Sequence, residues 1–127
     1  MKETNRASKL SYELSHFTGT SQWYRWSSLF STVCTDGVKY LAEEGRAYWL
    51  LDVIASHQIN PTITSSERLQ QFQIWEMIVE DHQGQLECRE DANLPPAIVQ
   101  EIPLTDFPFS RFKLYCVDNV ILLPSEY

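Results

Sequence analysis

From Ala47 to His57 the chain is apolar around most of a helix. Ala47, Leu50, Leu51, Ile54 and Ala55 recur at the spacing of one helical face, and Trp49 and Val53, four residues apart, widen it. A stripe this broad does not suit a surface helix. It asks for a helix packed across a sheet, and so for a two-layer arrangement. Asn60-Pro61 sets its end, because the residue before proline is pushed away from helical geometry.

The rest of the chain supplies strands for that sheet. Phe72 to Glu80 alternates, with Trp75, Met77 and Val79 on one face and Phe72, Ile74, Glu76 and Ile78 on the other. His82-Gln83-Gly84 reads as a turn, and Gln85 to Glu90 as the returning strand. Phe112–Val117 and Val120–Leu123 read as short strands around a turn at Asp118-Asn119. Gln22 to Ser28 carries the strand formers Trp23, Tyr24 and Trp26. Thr32 to Ala42 reads as a hairpin about Asp36-Gly37, both of which tolerate the positive φ of a primed turn. Ile63 to Glu67 reads as a loop or short turn. Pro95, Pro96, Pro103 and Pro108 mark an irregular linker from Leu94 to about Ser110. Ahead of all these, Leu10, Leu14 and Phe17 make one stripe of a short helix over Ala7–Phe17, with Ser8 as its N-cap. Residues 1–6 read as a flexible tail.

Strand-turn-strand steps dominate this order, so the sheet is expected to be mainly antiparallel. The predicted fold class is α+β: one principal helix at about 47–57 across one face, and a short N-terminal helix. With 127 residues there is no room for two independent cores, so residues 1–127 are expected to form a single domain.

Composition narrows the function classes. The formal charge of −7 repels phosphate backbones, and no basic stripe offsets it, so nucleic acid is not an expected partner. No apolar run approaches the ~20 residues of a membrane-spanning helix, so no membrane association is expected. The N-terminal stretch is polar, without the apolar region of a signal peptide. Cys34, Cys88 and Cys116 are an odd, widely spaced set that suits reduced, buried thiols. These features point to the cytoplasm.

Chemistry-bearing patterns are sparse. His16, His57 and His82 lie far apart and no Cys-x-x-Cys occurs, so no metal set is expected. No cysteine opens a predicted helix, where the dipole would activate its thiol. Gly19, Gly37, Gly45 and Gly84 are spread among turns and form no phosphate loop, so no cofactor is expected. The pairs Glu43-Glu44, Glu80-Asp81 and Glu90-Asp91 fall at strand ends and turns, where carboxylates are solvated. Asp52 differs, because it lies inside an apolar helix, where burial beside Arg46 or a strand hydroxyl is expected. With Tyr48 one turn away it defines a candidate pocket between helix 47–57 and the sheet. That pocket, with Arg25 as a further polar group, is the basis for an alternative reading as a ligand-binding protein or enzyme.

The run Trp23-Tyr24-Arg25-Trp26 is the second candidate site. Aromatics interleaved with arginine can stack bases, but the acidic balance opposes that use. Strand alternation puts Trp23 and Arg25 on one face and Tyr24 and Trp26 on the other, so one pair lies outside the core. Trp, Tyr and Arg are the residues enriched at interface hot spots. The leading expectation is therefore a small acidic, non-enzymatic interaction or accessory module that binds another protein or a second copy of itself.

Three segments carry a resemblance: Phe17-Thr18-Gly19-Thr20 with Trp23-Tyr24-Arg25; Thr35 to Glu43 with Ala47 to Asp52 and Ile54-Ala55; and Asp118 to Tyr127. Together they resemble a family of small uncharacterised bacterial and mobile-element proteins, a domain of unknown function. The resemblance implies a small bacterial domain and brings no activity, cofactor or site residue.

Overall fold

The computed structural model describes residues 2–127, with side chains from residue 6 onward. At its centre is β2 (Gln73–Glu80), which pairs antiparallel with β3 (Gln83–Arg89) on one side and β5 (Arg111–Val117) on the other. Outside β3 lies β4 (Ile98–Ile102), and outside β5 lies β6 (Val120–Leu122). The two-residue β1 (Val33–Cys34) joins β6 in parallel, giving the order β1–β6–β5–β2–β3–β4. The sheet is mostly antiparallel and the class is α+β, as expected. Both hairpins turn on pairs of positive φ: Asp81 and His82 at 52° and 61°, Asp118 and Asn119 at 49° and 65°. That is the primed-turn pattern whose twist matches the strands. The first turn thus falls at Asp81-His82, one residue before the expected position.

The helices are α1 (Lys2–Leu14), α2 (Asp36–Glu44), α3 (Tyr48–Ser56), α4 (Pro61–Thr64) and α5 (Glu67–Gln71), with a 3-10 turn over His57–Ile59 between α3 and α4. Leu50, Leu51 and Ile54 of α3 are fully buried, as the broad stripe required. They share one core with Leu10 and Leu14 of α1, Val38 and Leu41 of α2, and Trp75, Met77 and Leu114 of the sheet. The principal helix therefore shares this core with α1 and α2 and, through Ile63 and Leu69, with α4 and α5.

Four local expectations are corrected. The hairpin about Asp36-Gly37 is a helix. Thr35 caps it, its Oγ1 accepting from Val38 N at 3.4 Å, and Asp36 sits in the first turn where the dipole favours an anion. Val38, Leu41 and Ala42 are buried at helical spacing, and Lys39 pairs with Glu43 at 3.1 Å one turn on. The predicted strand over 22–28 reduces to one antiparallel bridge, Tyr24 to Cys34. The proline-rich segment contains β4, with Pro96 and Pro103 just outside its ends. The loop or short turn over Ile63–Glu67 gives way to α4 and α5, started by Asn60 accepting from Thr62 N at 2.9 Å and Ser66 accepting from Leu69 N at 3.2 Å. In addition, α1 begins at Lys2, so residues 2–6, expected in the tail, are helical backbone, while Met1 lies outside the described residues.

A small polar network ties the 3-10 turn after α3 to the sheet. Gln58 and Gln73 exchange two amide hydrogen bonds at 2.9 and 2.8 Å, and Gln73 Oε1 also accepts from Trp75 Nε1 at 2.8 Å. Both Gln73 and Trp75 are buried, so these bonds offset the desolvation of their polar atoms.

Candidate functional site

The sheet has one face under the helices and one open face, and strand alternation decides which residues each receives. In the antiparallel register Cys116 faces Ile121, and both are buried in the core. The residues on either side, Tyr115 opposite Leu122 and Val117 opposite Val120, belong to the open face. Here the open face is apolar. Trp23, from the segment ahead of β1, and Tyr127, from the end of the chain, complete a groove of about 590 Å³ with Val117, Val120 and Leu122. Trp23 is 64% exposed and Tyr127 72% exposed. The Tyr127 ring meets Phe72 edge-on at 5.2 Å and Tyr115 at 5.7 Å, which fixes its position beside the groove. The polar lining is Thr20, Thr35, Asp118 and Glu126.

Across β2 and β3 the same face is charged. Arg89 Nη1 donates to Glu87 Oε1 at 2.7 Å and lies 3.8 Å from Glu76, and Arg111 approaches Glu76 at 3.4 Å. Gln85 donates to the other Glu87 oxygen at 2.6 Å. This part of the face is saturated by its own partners, and the groove part is not.

The floor of the groove is a junction of three chain segments. Thr35 Oγ1, besides capping α2, donates to Glu126 Oε1 at 2.5 Å. Glu126 also accepts from Gly37 N and Leu123 N, each at 3.0 Å, so its carboxylate lies against the N-terminal amides of α2. Asp36 Oδ2 accepts from Ser21 N at 2.8 Å and from Ser21 Oγ at 3.0 Å, while Asp36 N donates to Thr20 Oγ1 at 3.0 Å. The Ser21 backbone N–H holds the Asp36 carboxyl below its ordinary range. Ser125 Oγ donates to Phe17 O at 2.7 Å. Gly37 is required by this closeness: a Cβ there would lie 2.6 Å from Leu123 Cδ1 and 2.9 Å from Glu126 Oε1. Parts of the segments that carry the family resemblance, within 17–25, 35–43 and 118–127, meet here, while the remaining stretch, 47–55, lies at α3.

The sequence-predicted site residues separate. Trp23 alone of the aromatic run lines the groove. Arg25 is spent on its own loop, Nε donating to Phe30 O at 2.8 Å and Ser27 O at 3.2 Å. Tyr24 is half-buried, bonded through its backbone to Cys34 at 2.8 and 2.9 Å, with Lys39 Nζ 4.8 Å from its ring centre. Trp26 is half-buried, and its indole Nε1 donates to Asp52 Oδ1 at 2.8 Å.

Asp52 is thus exposed and bonded to an indole, not buried beside Arg46 or a strand hydroxyl. Tyr48 donates to Glu43 Oε1 at 3.2 Å. The space where these two were expected to form a pocket, between α3 and the sheet, is filled by Leu50, Leu51 and Ile54. Sequence reading missed Val117, Val120, Leu122, Asp118, Glu126 and Tyr127 as site residues. The i, i+2 spacing of Tyr115 with Val117 and of Val120 with Leu122 is the signal that could have found the apolar stripe, but Glu126 reaches α2 from 89 residues away and left no local sign.

Other chemistry is quiet. Cys34, Cys88 and Cys116 are buried free thiols, each pushed up to about 12 by desolvation, so they stay protonated and poorly nucleophilic. Among the described residues no group of His, Cys, Asp and Glu is gathered to hold a metal ion, and no helix is long and apolar enough to cross a membrane.

The model of the family of unknown function DUF6876 matches residues 8–127, and the chain belongs to that family. No curated protein and no solved structure matches it.

Proposed function

We propose that this chain is a single-domain, non-enzymatic recognition module that binds another protein through the apolar part of its open sheet face. The observation that carries the reading is the pair Trp23 and Tyr127, 64% and 72% exposed, beside a groove walled by Val117, Val120 and Leu122. Leaving a large apolar side chain in water forgoes about 1.5–3 kcal/mol of burial. Single exposed apolar residues such as Leu29 and Ile59 are ordinary on any surface. Two large exposed aromatics beside an apolar groove, with a polar rim, are what an interaction site looks like.

The acidic balance supports a soluble protein partner over nucleic acid, and the buried thiols suit work in the reducing cytoplasm. The enzyme reading loses its support with the filled space beneath α3. Trp23→Ala and Trp26→Ala test the proposal as a pair. The first should keep the thermal midpoint and abolish partner binding or self-association in sedimentation; the second should lower the midpoint. Unfolding of Trp23→Ala would make that residue part of the core and end this reading.

A further inference from the structure

The chemistry of the rim says which kind of partner fits the groove. Resting on the reading of the groove as a protein-binding site, we infer that its ligand is a basic segment of another protein, one that inserts an apolar side chain beside Trp23 and sets a neighbouring Lys or Arg against Asp118.

Charge is the first argument. The groove lining holds two carboxylates, Asp118 and Glu126, and no Lys or Arg. They differ in availability. Glu126 already accepts from Thr35, Gly37 and Leu123, so it is a structural cap. Asp118 is exposed at the hairpin turn and has no ion pair among the described residues. It is the carboxylate a ligand cation meets. The formal charge of −7 adds a field that draws a basic segment in and holds a second, equally acidic copy off.

Size is the second argument. Nine residues line the groove, whereas a stable interface between folded proteins takes roughly 20–30 residues a side. The site fits one segment of chain, not a whole domain face.

The third is that the sheet edge beside the groove, β1, is already paired. Tyr24 N donates to Cys34 O at 2.8 Å and Cys34 N donates to Tyr24 O at 2.9 Å, so the backbone of β1 is already paired on its outer side. A ligand here is read through side chains, not by adding a strand.

The test is selection of a random linear peptide library displayed on phage against the full chain. Selected peptides are then synthesised with a fluorescent label and titrated by polarisation against wild type, Trp23→Ala and Asp118→Asn at low and high salt. Asn tolerates the positive φ of position 118, so the second variant removes charge and keeps the turn. Selected peptides should share an aromatic or aliphatic residue flanked by Lys or Arg. Their affinity should fall about tenfold or more in Trp23→Ala, about two- to fivefold in Asp118→Asn, and further with salt. Peptides that need Trp23 but carry no basic residue, or bind Asp118→Asn as tightly as wild type, overturn the basic ligand and leave the groove reading standing. Peptides indifferent to Trp23→Ala, or no binders at all, overturn both. Should Trp23→Ala not fold, Tyr127→Ala takes its place with the same expected loss.

Discussion

The two faces of the sheet are made by the same strands, one residue out of phase, and they have opposite characters. On β2, Gln73, Trp75 and Met77 are buried beneath the helices, while Ile74, Glu76 and Ile78 are half-buried on the open side. The covered face is close-packed by α1, α2 and α3. The open face divides: over β2, β3 and the start of β5, with Arg111 and Lys113, it is charged, and over the end of β5 and β6 it is apolar and unfilled. On the proposed reading the difference separates stability from recognition: packing on the covered face maintains the fold, and loss of an exposed groove side chain such as Trp23 should leave the chain folded.

That comparison breaks most clearly on α3. Leu51→Ala opens a cavity in the covered layer and should cost about 2–5 kcal/mol in urea unfolding. An unchanged midpoint would mean that α3 does not hold the sheet. Gly37→Ala probes the junction between core and groove. The added methyl meets Leu123 and Glu126, an overpacking cost of about 1–3 kcal/mol, against a gain of up to ~1 kcal/mol from replacing glycine in a helix. The clash should win and lower stability; a stabilised variant would show that residues 123–126 yield easily. Trp26→Phe removes the bond to Asp52 and keeps most of the ring, so it should cost about 0.5–1.5 kcal/mol.

The smallest effect is a pH effect. Asp36 has its folded pKa depressed by the Ser21 backbone N–H, so its contribution to stability is fully present above the ordinary carboxyl value of 3.8. It is lost as pH falls through the lower folded value. Asp36→Asn should therefore lower stability slightly at neutral pH, where the ionised carboxylate contributes, and flatten the acid side of the profile. A steeper acid limb in that variant would reverse the sign of the assignment.

Much of the covered layer was legible because burial leaves a period in the sequence. The stripe of α3 and the alternation of β2 are each long enough to have one reading. Thr35-Asp36-Gly37 was not, because the same three residues serve a primed turn or a helix start. What decides it is the period that follows: Val38, Leu41 and Ala42 are spaced for a helix, and the β-rich composition of the neighbouring arms obscured this. The short α4 and α5 carry too few residues for a period, and only their caps mark them. At the candidate site the sequence left two outward pairs open, Trp23 with Arg25 or Tyr24 with Trp26, and it is Trp23 that lies exposed. The split between Trp23 and its neighbours was not legible, because Trp26 is claimed by Asp52 and Arg25 by the carbonyls of its own loop. The joining of residues 35–37 to Glu126 is a tertiary contact with no local signature.

The indole N–H resonances offer the most direct test that the open apolar face is the recognition surface. Trp26 and Trp75 have theirs bonded to Asp52 and Gln73, and Trp49 packs on Phe107 at 6.2 Å, while Trp23 lines the groove. In two-dimensional NMR with a bound peptide ligand, the account predicts that the Trp23 indole signal and the amides of Val117, Val120 and Tyr127 shift, while the indole signals of Trp26 and Trp75 stay in place. Shifts centred on Trp26 or Trp49, with Trp23 unmoved, would contradict it.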